Sequence, residues 1–431
     1  MVERNYHDIV APAIESGSLV SPLNKGLGDM RGPLSMAEVA EKRWNLLHED
    51  LSLPAAVLYE DRLVSNLNWM RQFTSAYGAK LAPHGKTTMA PKLFRRQLDA
   101  GAWGITLATA QQTRVAYEHG VRRVLMANQL VGKQNMGVIA DLLNDPDFEY
   151  FCLVDSAALA EQLGAFFQSR RKRLNVLIEV GVDGGRTGVR DRHQLDSLVA
   201  LVRRRSESLA LCGIELYEGV LDDEGAIRQF LRRAVAHTRE LSEADLFARS
   251  PIILSGAGSA WYDVVAEEFS NAEIAQPLEI VLRPGCYLTH DVGAYRRAQE
   301  RIHTRNAVAR HMQLGLQPAL QVWAYVQSVP ESAKAIVTLG KRDAAFDAGL
   351  PTPSLHFRPG DKASKSAPRA WQLTKMMDQH AYLEFAEGDD IQVGDMIGFD
   401  ISHPCLTFDK WRFVPILNAN YEVIEVVQTF F

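Results

Sequence analysis

The sequence predicts an α/β protein in which a (β/α)8 barrel is followed by a mostly antiparallel β domain. From about residue 50 to 300, short continuous apolar runs alternate with longer amphipathic segments. After about residue 305 the apolar runs are separated by Gly, Pro and Asp turns without helical spacers. Continuous apolar strands are typical of a parallel sheet buried on both faces, and eight strand–helix units in about 250 residues have the size of a barrel. A doubly wound open sheet is the alternative.

The runs predicted as barrel strands are separated by segments with helical periodicity. In one segment Leu195, Leu198, Val199 and Val202 keep the i, i+3, i+4, i+7 spacing of a helix that packs on one face. The eight predicted strands are 80–83, 104–108, 123–128, 150–155, 175–180, 209–216, 251–255 and 278–282.

Three regions are predicted along the chain. The barrel spans residues 51–305, and residues 306–431 form the β domain. Residues 1–50 form an N-terminal extension with one clear helix, Met36–Leu47, and its packing on the β domain is left open. The apolar run Ala55–Tyr59 lies outside the count of eight strands, so its membership of another sheet is also left open.

The composition indicates a soluble globular protein that binds neither nucleic acid nor membrane. The net charge is −5, and the basic runs 170–173 and 203–205 lie at predicted helix ends, where they complement the helix dipole. No stretch approaches the roughly 18 apolar residues of a membrane span, and no apolar segment follows the N-terminus. Three of the four widely spaced cysteines lie in or beside apolar runs and none forms a CxxC pair, which suits reduced thiols, so we expect a cytoplasmic protein.

The loop after the first predicted strand carries His84 and Lys86. Active sites of such barrels are built from the loops at the carboxyl ends of the strands. A lysine just past a buried strand is partly desolvated, which lowers its pKa toward the reactive neutral amine. Taken alone, the run 83–87 favours an ordinary surface lysine and a structural histidine.

Two loops of small residues follow the seventh and eighth strands. Small residues let backbone N–H groups approach an anion, and these two loops are the usual phosphate site of such barrels. Two of them opposite a first-strand lysine predict a phosphate-binding site. The candidate residues are Ser255, Gly256, Gly258, Ser259, Gly285, Cys286 and Tyr287.

The fifth and sixth loops contribute Arg186 and Tyr217. Arg186 lies in a glycine-rich turn and could hold a phenolate or carboxylate oxygen. A salt bridge to Glu179 or Asp183 is the alternative. Tyr217 is placed to touch a planar cofactor, and a core tyrosine is equally compatible with the sequence.

In the β domain His403 and Cys405 are a candidate metal pair. An imidazole and a thiolate two positions apart on an extended segment point the same way and suit a soft metal such as zinc. Burial without a metal is the alternative. Two ligands leave a metal underfilled, and His380 is the candidate third group, as a ligand or as a substrate contact.

Together these residues resemble fold-type III pyridoxal-phosphate enzymes, which have an alanine racemase-like barrel and a C-terminal β domain. Within that group the chain is similar to the D-serine dehydratase and D-threonine aldolase branch. The chain departs from the common pattern at Gly85 and at Thr88-Met89. The shared marks are Pro83-His84-x-Lys86-Thr87, Arg186-Thr187-Gly188, Gly256–Ser259, Pro284-Gly285-x-Tyr287, Asp347-Ala348-Gly349 and His403-x-Cys405.

The resemblance implies the cofactors and the assembly. Lys86 would form the imine with pyridoxal 5′-phosphate, the two small-residue loops would bind its phosphate, and Arg186 would steady its phenolic oxygen. A divalent metal, zinc in the dehydratases, would bind at His403 and Cys405. The family also implies a homodimer whose active site lies where one barrel meets the β domain of its partner.

The implied reaction is β-elimination of D-serine, or of a related β-hydroxy D-amino acid, to pyruvate and ammonia. Lys86 would take the α-proton, the metal would bind the β-hydroxyl, and His380 would orient the metal or the hydroxyl. Cys405 favours this dehydratase activity because the aldolases usually carry His-x-Asp. The alternatives are D-threonine aldolase activity, a metal-free racemase, a non-catalytic pyridoxal-phosphate carrier and a sugar-phosphate barrel enzyme without pyridoxal phosphate.

Overall fold

The computed structural model describes residues 19–431, and its strands form two sheets. A short helix, α1 (Met36–Glu41), and a strand, β1 (Ala55–Tyr59), precede the first sheet. The first sheet contains eight strands: β2 (Lys80–Leu81), β3 (Ile105–Leu107), β4 (Arg123–Gln129), β5 (Glu149–Val154), β6 (Leu174–Val180), β7 (Leu209–Leu216), β8 (Ile252–Gly256) and β9 (Leu278–Leu282).

All eight strands are parallel, and each is linked to the next by a helix. The order in the sheet is β2-β9-β8-β7-β6-β5-β4-β3. The predicted parallel barrel is therefore confirmed. The helices are α2 (Glu60–Ala76), α3 (Pro91–Asp99), α4 (Ala110–Glu118), α5 (Lys133–Leu142), α6 (Ala157–Ser169), α7 (Arg192–Arg204), α8 (Glu224–Glu243), α9 (Tyr262–Ser270) and α10 (Ala294–Arg305).

The barrel closes between its first two strands, at the loop that follows β2. Thr106 on β3 forms a parallel bridge with His84, and its backbone N–H donates to the Pro83 carbonyl at 2.9 Å. The Thr106 hydroxyl also donates to the Ala82 carbonyl at 2.6 Å. Closure removes the free edges that the open-sheet alternative would have had.

The second sheet is the predicted β domain and is mostly antiparallel. Its central path is β13-β12-β16-β10-β1-β17-β18, with three further strands paired beyond β10. Two short helices, α11 (Ala307–His311) and α12 (Cys405–Phe408), lie in the same half of the chain. The strands are β10 (Leu320–Glu331), β11 (Lys334–Val337), β12 (Thr352–Phe357), β13 (Lys365–Ser366), β14 (Gln372–Met376), β15 (Ala381–Glu384), β16 (Met396–Asp400), β17 (Phe413–Leu417) and β18 (Val423–Gln428).

The segment before the barrel belongs to the second sheet. β1 pairs antiparallel with β10 and parallel with β17, so the chain starts in one sheet and then builds the other. Val20, Leu27 and Trp44 are buried with residues of the second sheet. The helix predicted for Met36–Leu47 is shorter than expected, because Arg43 takes a positive φ of 48° and ends it. Residues 1–18 of the predicted extension lie outside the described residues.

Apolar side chains fill the barrel and the space under its helices. Phe151, Leu177 and Ile253 are fully or almost fully buried in a cluster with Cys212, which faces the same interior. Across residues 19–431, none of the helices combines the length and apolar character that crossing a membrane requires.

The segment 286–293 connects the two sheets. The Val292 N–H donates to the Ile401 carbonyl at 3.1 Å, and the Ala319 N–H donates to the Thr289 carbonyl at 2.8 Å. His290 in this segment is 4% exposed and has a positive φ of 48°. Burial, with a smaller contribution from Arg296, lowers the pKa of His290 to about 4. The imidazole is therefore neutral in the folded chain.

Gly213→Ala should destabilise the barrel. A Cβ at Gly213 on β7 would lie 1.9 Å from the Ile253 carbonyl oxygen on β8, so the two strands would have to separate. We expect a loss of about 1–3 kcal/mol in the free energy of unfolding, measured by urea denaturation. The control is Gly137→Ala in α5, where nothing lies within 4 Å and alanine should add about 0.5–1 kcal/mol. Equal stability of the two variants would contradict the close approach.

His290 should make the folded chain less stable in acid. The unfolded imidazole takes up a proton below about pH 6.5, whereas the folded one stays neutral to about pH 4. The free energy of unfolding should therefore fall as the pH drops between these values, by up to about 3 kcal/mol from this group. His290→Asn keeps a residue that tolerates positive φ and should remove this share of the pH dependence. The measurement is urea unfolding of both proteins at pH 7.5 and pH 4.5. If the wild-type protein and the variant lost the same free energy of unfolding between these pH values, His290 would not be the group responsible.

Candidate active site

A cavity of about 350 Å³ lies at the carboxyl ends of the barrel strands. It brings together most of the site residues predicted from the sequence. Ser255, Gly256, Tyr287 and His380 are not among its lining residues. The predicted residues that line it are His84, Lys86, Arg186, Tyr217, Gly258, Ser259, Gly285, Cys286, His403 and Cys405.

Lys86 lies in a single 3-10 turn, Gly85–Thr87, directly after the barrel closure. A Cβ at Gly85 would lie 2.7 Å from the Phe94 ring, so only glycine lets the turn pack this closely. The Lys86 side chain is exposed at the cavity, in contrast to the partial desolvation expected from the sequence, because the turn is open on that side. Within residues 19–431 its amine has no hydrogen bond or ion pair.

His84 is neutral in this site. Burial first, and then the positive charges of Lys86, Arg283 and Arg186, lower the pKa of His84 well below its ordinary value. Its Nδ1 atom is buried and has no hydrogen-bond partner within the described chain. An unpaired buried imidazole nitrogen is costly unless a ligand contacts it, which makes His84 a group that fits a bound cofactor.

The two small-residue loops meet beside Lys86. A Cβ at Gly285 would lie 2.6 Å from the His84 carbonyl oxygen, and one at Gly258 would lie 2.9 Å from the Tyr217 ring. The Cys286 N–H donates to the Ser259 hydroxyl at 3.2 Å. The backbone N–H groups of Ser259 and Gly285 have no acceptor in the part of the chain that is described, so they are available to an anion.

Glu218 accepts hydrogen bonds from two backbone amides of the first small-residue loop. Its buried carboxylate accepts hydrogen bonds from Ala257 N at 3.1 Å and Gly258 N at 2.7 Å. The Gly258 N–H is therefore engaged by a carboxylate in this structure, and the role of Gly258 in cofactor binding stays a prediction. Nothing in the local sequence marks Glu218 for this contact, since it lies 40 residues before Gly258. Burial raises the pKa of the Glu218 carboxyl.

Three other predicted cofactor residues support the loops from behind. The Ser255 hydroxyl donates to the Val281 carbonyl at 3.0 Å, and Gly256 leaves room for Val265 and Phe269 under the loop. The Tyr287 hydroxyl accepts from Gln97 Nε2 at 3.2 Å and is buried away from the cavity. These residues position the loops and do not face the space that a ligand would fill.

Arg186 and Tyr217 contact each other at the cavity wall. The Arg186 guanidinium carbon lies 4.7 Å from the centre of the Tyr217 ring, within cation–π range. Glu179, the expected salt-bridge alternative for Arg186, instead accepts from the Thr187 hydroxyl at 2.6 Å and from the Gln129 amide. The Arg186 charge is therefore left for the cavity.

Arg283 and Tyr295 also line the cavity and were not identified from the sequence. Arg283 is buried, pairs with Glu215 and donates to the Ser255 hydroxyl at 3.1 Å. Burial raises the pKa of Glu215, and the Arg283 charge opposes that shift. Tyr295 lies in the first turn of α10, where the Asp291 carboxylate accepts its N–H at 3.0 Å. The neighbouring Cys286, and then burial, raise the pKa of the Tyr295 phenol, so it stays a hydrogen-bond donor.

His403 and Cys405 reach the cavity from the second sheet. They lie on a turn that leads into α12, where Pro404 has φ −58° and ψ −42°, and not on the extended segment predicted from the sequence. The turn nevertheless directs both side chains into the cavity. Cys405 Sγ lies 3.5 Å from the Thr87 hydroxyl, so the metal candidates contact the turn that carries Lys86.

Cys286, Cys405 and His403 shift one another's pKa values. Cys286 Sγ and Cys405 Sγ are 3.8 Å apart. Because the Cys286 thiol keeps its proton and donates, the pKa of Cys405 is lowered and that of Cys286 is raised. The neighbouring Cys405, and a hydrogen bond at 2.8 Å from His403 Nδ1 to Asp347, raise the pKa of His403 to about 9.

The donor set fits a soft divalent metal in part. A thiolate and an imidazole converge, and Asp347 fixes the imidazole so that Nε2 is left for an ion. Among residues 19–431, no three His, Cys, Asp or Glu side chains are arranged closely enough to hold a metal ion as they stand. The predicted third group, His380, is exposed in the turn between β14 and β15 and does not line the cavity. Within one chain it therefore adds nothing to this site.

Comparison with known proteins agrees with the fold. The chain is 29% identical to D-threo-3-hydroxyaspartate dehydratase of Delftia sp. strain HT23 over 213 residues, which is 48% of this chain and 55% of that enzyme. It therefore matches little more than half the length of that relative. It is 25% identical to D-threonine aldolase of Arthrobacter sp. over 308 residues, covering 69% of this chain and 74% of the aldolase.

A solved structure shares the whole architecture. It is a variant of a D-threo-3-hydroxyaspartate dehydratase with a cysteine replaced by alanine, in the metal-free form, and it superposes with a TM-score of 0.70 at 23% identity. The superposition covers 90% of this chain and 99% of that one, and at this identity it shows the fold alone.

Two family models match consecutive parts of the chain. The putative serine dehydratase domain matches residues 319–417, in the second sheet. The alanine racemase N-terminal domain matches residues 59–288, more than half of the chain and nearly the whole barrel. The chain therefore belongs to the alanine racemase N-terminal domain family and joins that barrel to a putative serine dehydratase domain.

Proposed function

We propose that the protein is a lyase that uses pyridoxal 5′-phosphate and a divalent metal to eliminate water from a β-hydroxy D-amino acid. D-Serine is the simplest such substrate, and its products would be pyruvate and ammonia. One observation carries the proposal: the Lys86 turn and the His403–Cys405 turn meet in one cavity, with Thr87 Oγ1 3.5 Å from Cys405 Sγ. A base and a site for a hydroxyl-binding metal are thus side by side.

The charges of the cavity suit an anionic cofactor. Among the described residues, its lining includes the cations Lys86, Arg186 and Arg283 and no Asp or Glu side chain. The unpaired N–H groups of Ser259 and Gly285 lie where a phosphate would be held. Pyridoxal phosphate, which Lys86 would hold until the substrate amine takes the place of that lysine, would supply an electron sink for the charge left when the α-proton is removed.

The chain's own residues supply the remaining chemistry. Lys86, as a neutral amine beside the substrate, takes the proton from Cα. Arg186, held over the Tyr217 ring, offers its guanidinium to an anionic oxygen. Breaking the Cα–H and Cβ–O bonds releases water, and the resulting aminoacrylate is hydrolysed to pyruvate and ammonia.

His403 and Cys405 would hold the metal. A divalent ion there would act as a Lewis acid on the β-hydroxyl. Asp347 accepts the Nδ1 hydrogen of His403 at 2.8 Å, which fixes the tautomer with Nε2 free for coordination. The thiolate of Cys405 favours zinc over hard, oxygen-preferring ions.

The second candidate function is aldol cleavage of a β-hydroxy D-amino acid such as D-threonine. It is favoured by the similarity to D-threonine aldolase, which extends over 69% of this chain. In that reaction the same base would remove the hydroxyl proton, and the Cα–Cβ bond would break to give glycine and an aldehyde. Cys405 and the match of residues 319–417 to a putative serine dehydratase domain support elimination.

We also infer a homodimer. Lys86 is exposed in the single chain although a reactive imine has to be shielded from water, and a second copy covering the cavity would provide that shield. The expected cytoplasmic location stays a prediction.

Product analysis should separate the two reactions. With D-serine we expect pyruvate and ammonia in equal amounts, detected by coupled lactate dehydrogenase and by an ammonia assay. Removal of metal with a chelator should lower the rate at least tenfold, and zinc should restore it. Glycine and acetaldehyde from D-threonine, without pyruvate from D-serine, would overturn the elimination in favour of the aldolase.

Lys86→Ala should remove the covalent bond to the cofactor. After incubation with pyridoxal phosphate and desalting, the wild-type protein should keep the yellow absorbance of the lysine-bound cofactor, and the variant should lose it together with activity. Lys80→Ala is the matched control, since Lys80 is an exposed lysine at the other end of the same strand. A yellow Lys86→Ala protein would show that another amine carries the cofactor.

A further inference from the structure

We propose that Cys286 is a third protein ligand of the metal held by His403 and Cys405. The site would then have two thiolates and one imidazole, with a fourth position left for the substrate hydroxyl. This inference rests on the metal-dependent function proposed above. It replaces His380, which lies outside the cavity, as the group that completes the site.

The distance between the two sulfur atoms already matches a shared ion. Cys286 Sγ and Cys405 Sγ are 3.8 Å apart. Thiolates bind zinc at about 2.3 Å, so two of them on a tetrahedral ion are about 3.8 Å apart. An ion between them would therefore need no change in the separation of the sulfur atoms.

The backbone holds the Cys286 side chain in this position. Its N–H donates to the Ser259 hydroxyl at 3.2 Å, and its carbonyl accepts from His290 N at 2.7 Å. Gly285 before it cannot carry a Cβ without touching the His84 carbonyl. Cys286 is only 4% exposed and yet lines the cavity, so its thiol faces the ligand space from a fixed loop.

His403 would have to move to join the two sulfur atoms, because no three His, Cys, Asp or Glu side chains in residues 19–431 stand close enough to hold a metal ion. Its Nδ1 donates to the Asp347 carboxylate at 2.8 Å, and the ring lines the same cavity as Cys286 and Cys405. An ion would bind between the two sulfur atoms, and His403, whose side chain is 29% exposed, is the group that would have to turn toward it.

A two-cysteine, one-histidine set has a functional consequence. Catalytic zinc sites with three protein ligands keep the fourth position open for water or substrate. Two thiolates neutralise the charge of the ion and select against manganese and magnesium, which prefer oxygen ligands. The site should therefore retain zinc at low metal concentration and still bind one hydroxyl group.

The test counts the sulfur ligands of the full-length protein loaded with zinc under reducing conditions. X-ray absorption should fit two sulfur atoms for the wild-type protein and one for Cys286→Ala. The zinc affinity of Cys286→Ala, measured by competition with a chromophoric chelator, should fall at least tenfold. Cys212→Ala is the matched control, because Cys212 is buried in the barrel interior away from the cavity, and it should change neither result.

The outcomes separate this inference from the function it rests on. A wild-type protein with one sulfur ligand, and an unchanged affinity in Cys286→Ala, would overturn the role of Cys286 and leave the His403–Cys405 site intact. Zinc binding that is insensitive to His403→Ala and Cys405→Ala would overturn the metal-dependent function and the inference together. Since the sulfur count of the wild-type protein decides the question, the test does not depend on the folding of a variant.

Discussion

Closure of the barrel between its first two strands is the constraint on which the site depends. The bridge between His84 and Thr106, with the bond from Thr106 N to the Pro83 carbonyl, joins the last free edges of the parallel sheet at the height of the strand ends. The chain must leave that closure through the tight turn at Gly85, which packs on Phe94. Lys86 is therefore presented from a fixed point. The other cavity groups lie around this turn.

The positive charge of the cavity lining depends on two carboxylates that are buried behind its wall. Glu215 and Glu218 are fully buried, and each is paired: the first with Arg283, the second with two loop amides. Buried carboxylates without such partners would be too costly to keep ionised. Because these acids face inward, no Asp or Glu side chain among the described residues lines the cavity, and Lys86 and Arg186 have no acidic partner there. An anionic cofactor is thus attracted to the cavity, because Glu215 and Glu218 lie behind its wall and not on it.

Much of this was predictable from the sequence because the signals are local. Continuous apolar runs with helical spacers predicted the parallel barrel, and the loss of those spacers after residue 305 predicted the second sheet. Residues at strand ends share one edge of a barrel, so Lys86, Arg186 and Gly285 could be placed in one site without knowing any contact. The pairing of His403 with Cys405 was likewise visible, although a turn and not an extended segment brings them together.

By itself, then, the sequence determined the spacing of apolar residues in its strands and helices. That spacing determined the barrel and the set of loops at the carboxyl ends of its strands. Only the tertiary structure decided which side chains touch across long separations in the chain. It set Cys286 beside Cys405, placed Glu218 on the loop amides, moved β1 into the second sheet and left His380 outside the cavity. The physical reason is that periodicity reports the face of an element that is buried. Contacts between loops depend on how barrel closure and packing arrange the strands and helices in space. The spacing of residues within one segment contains no information about that arrangement.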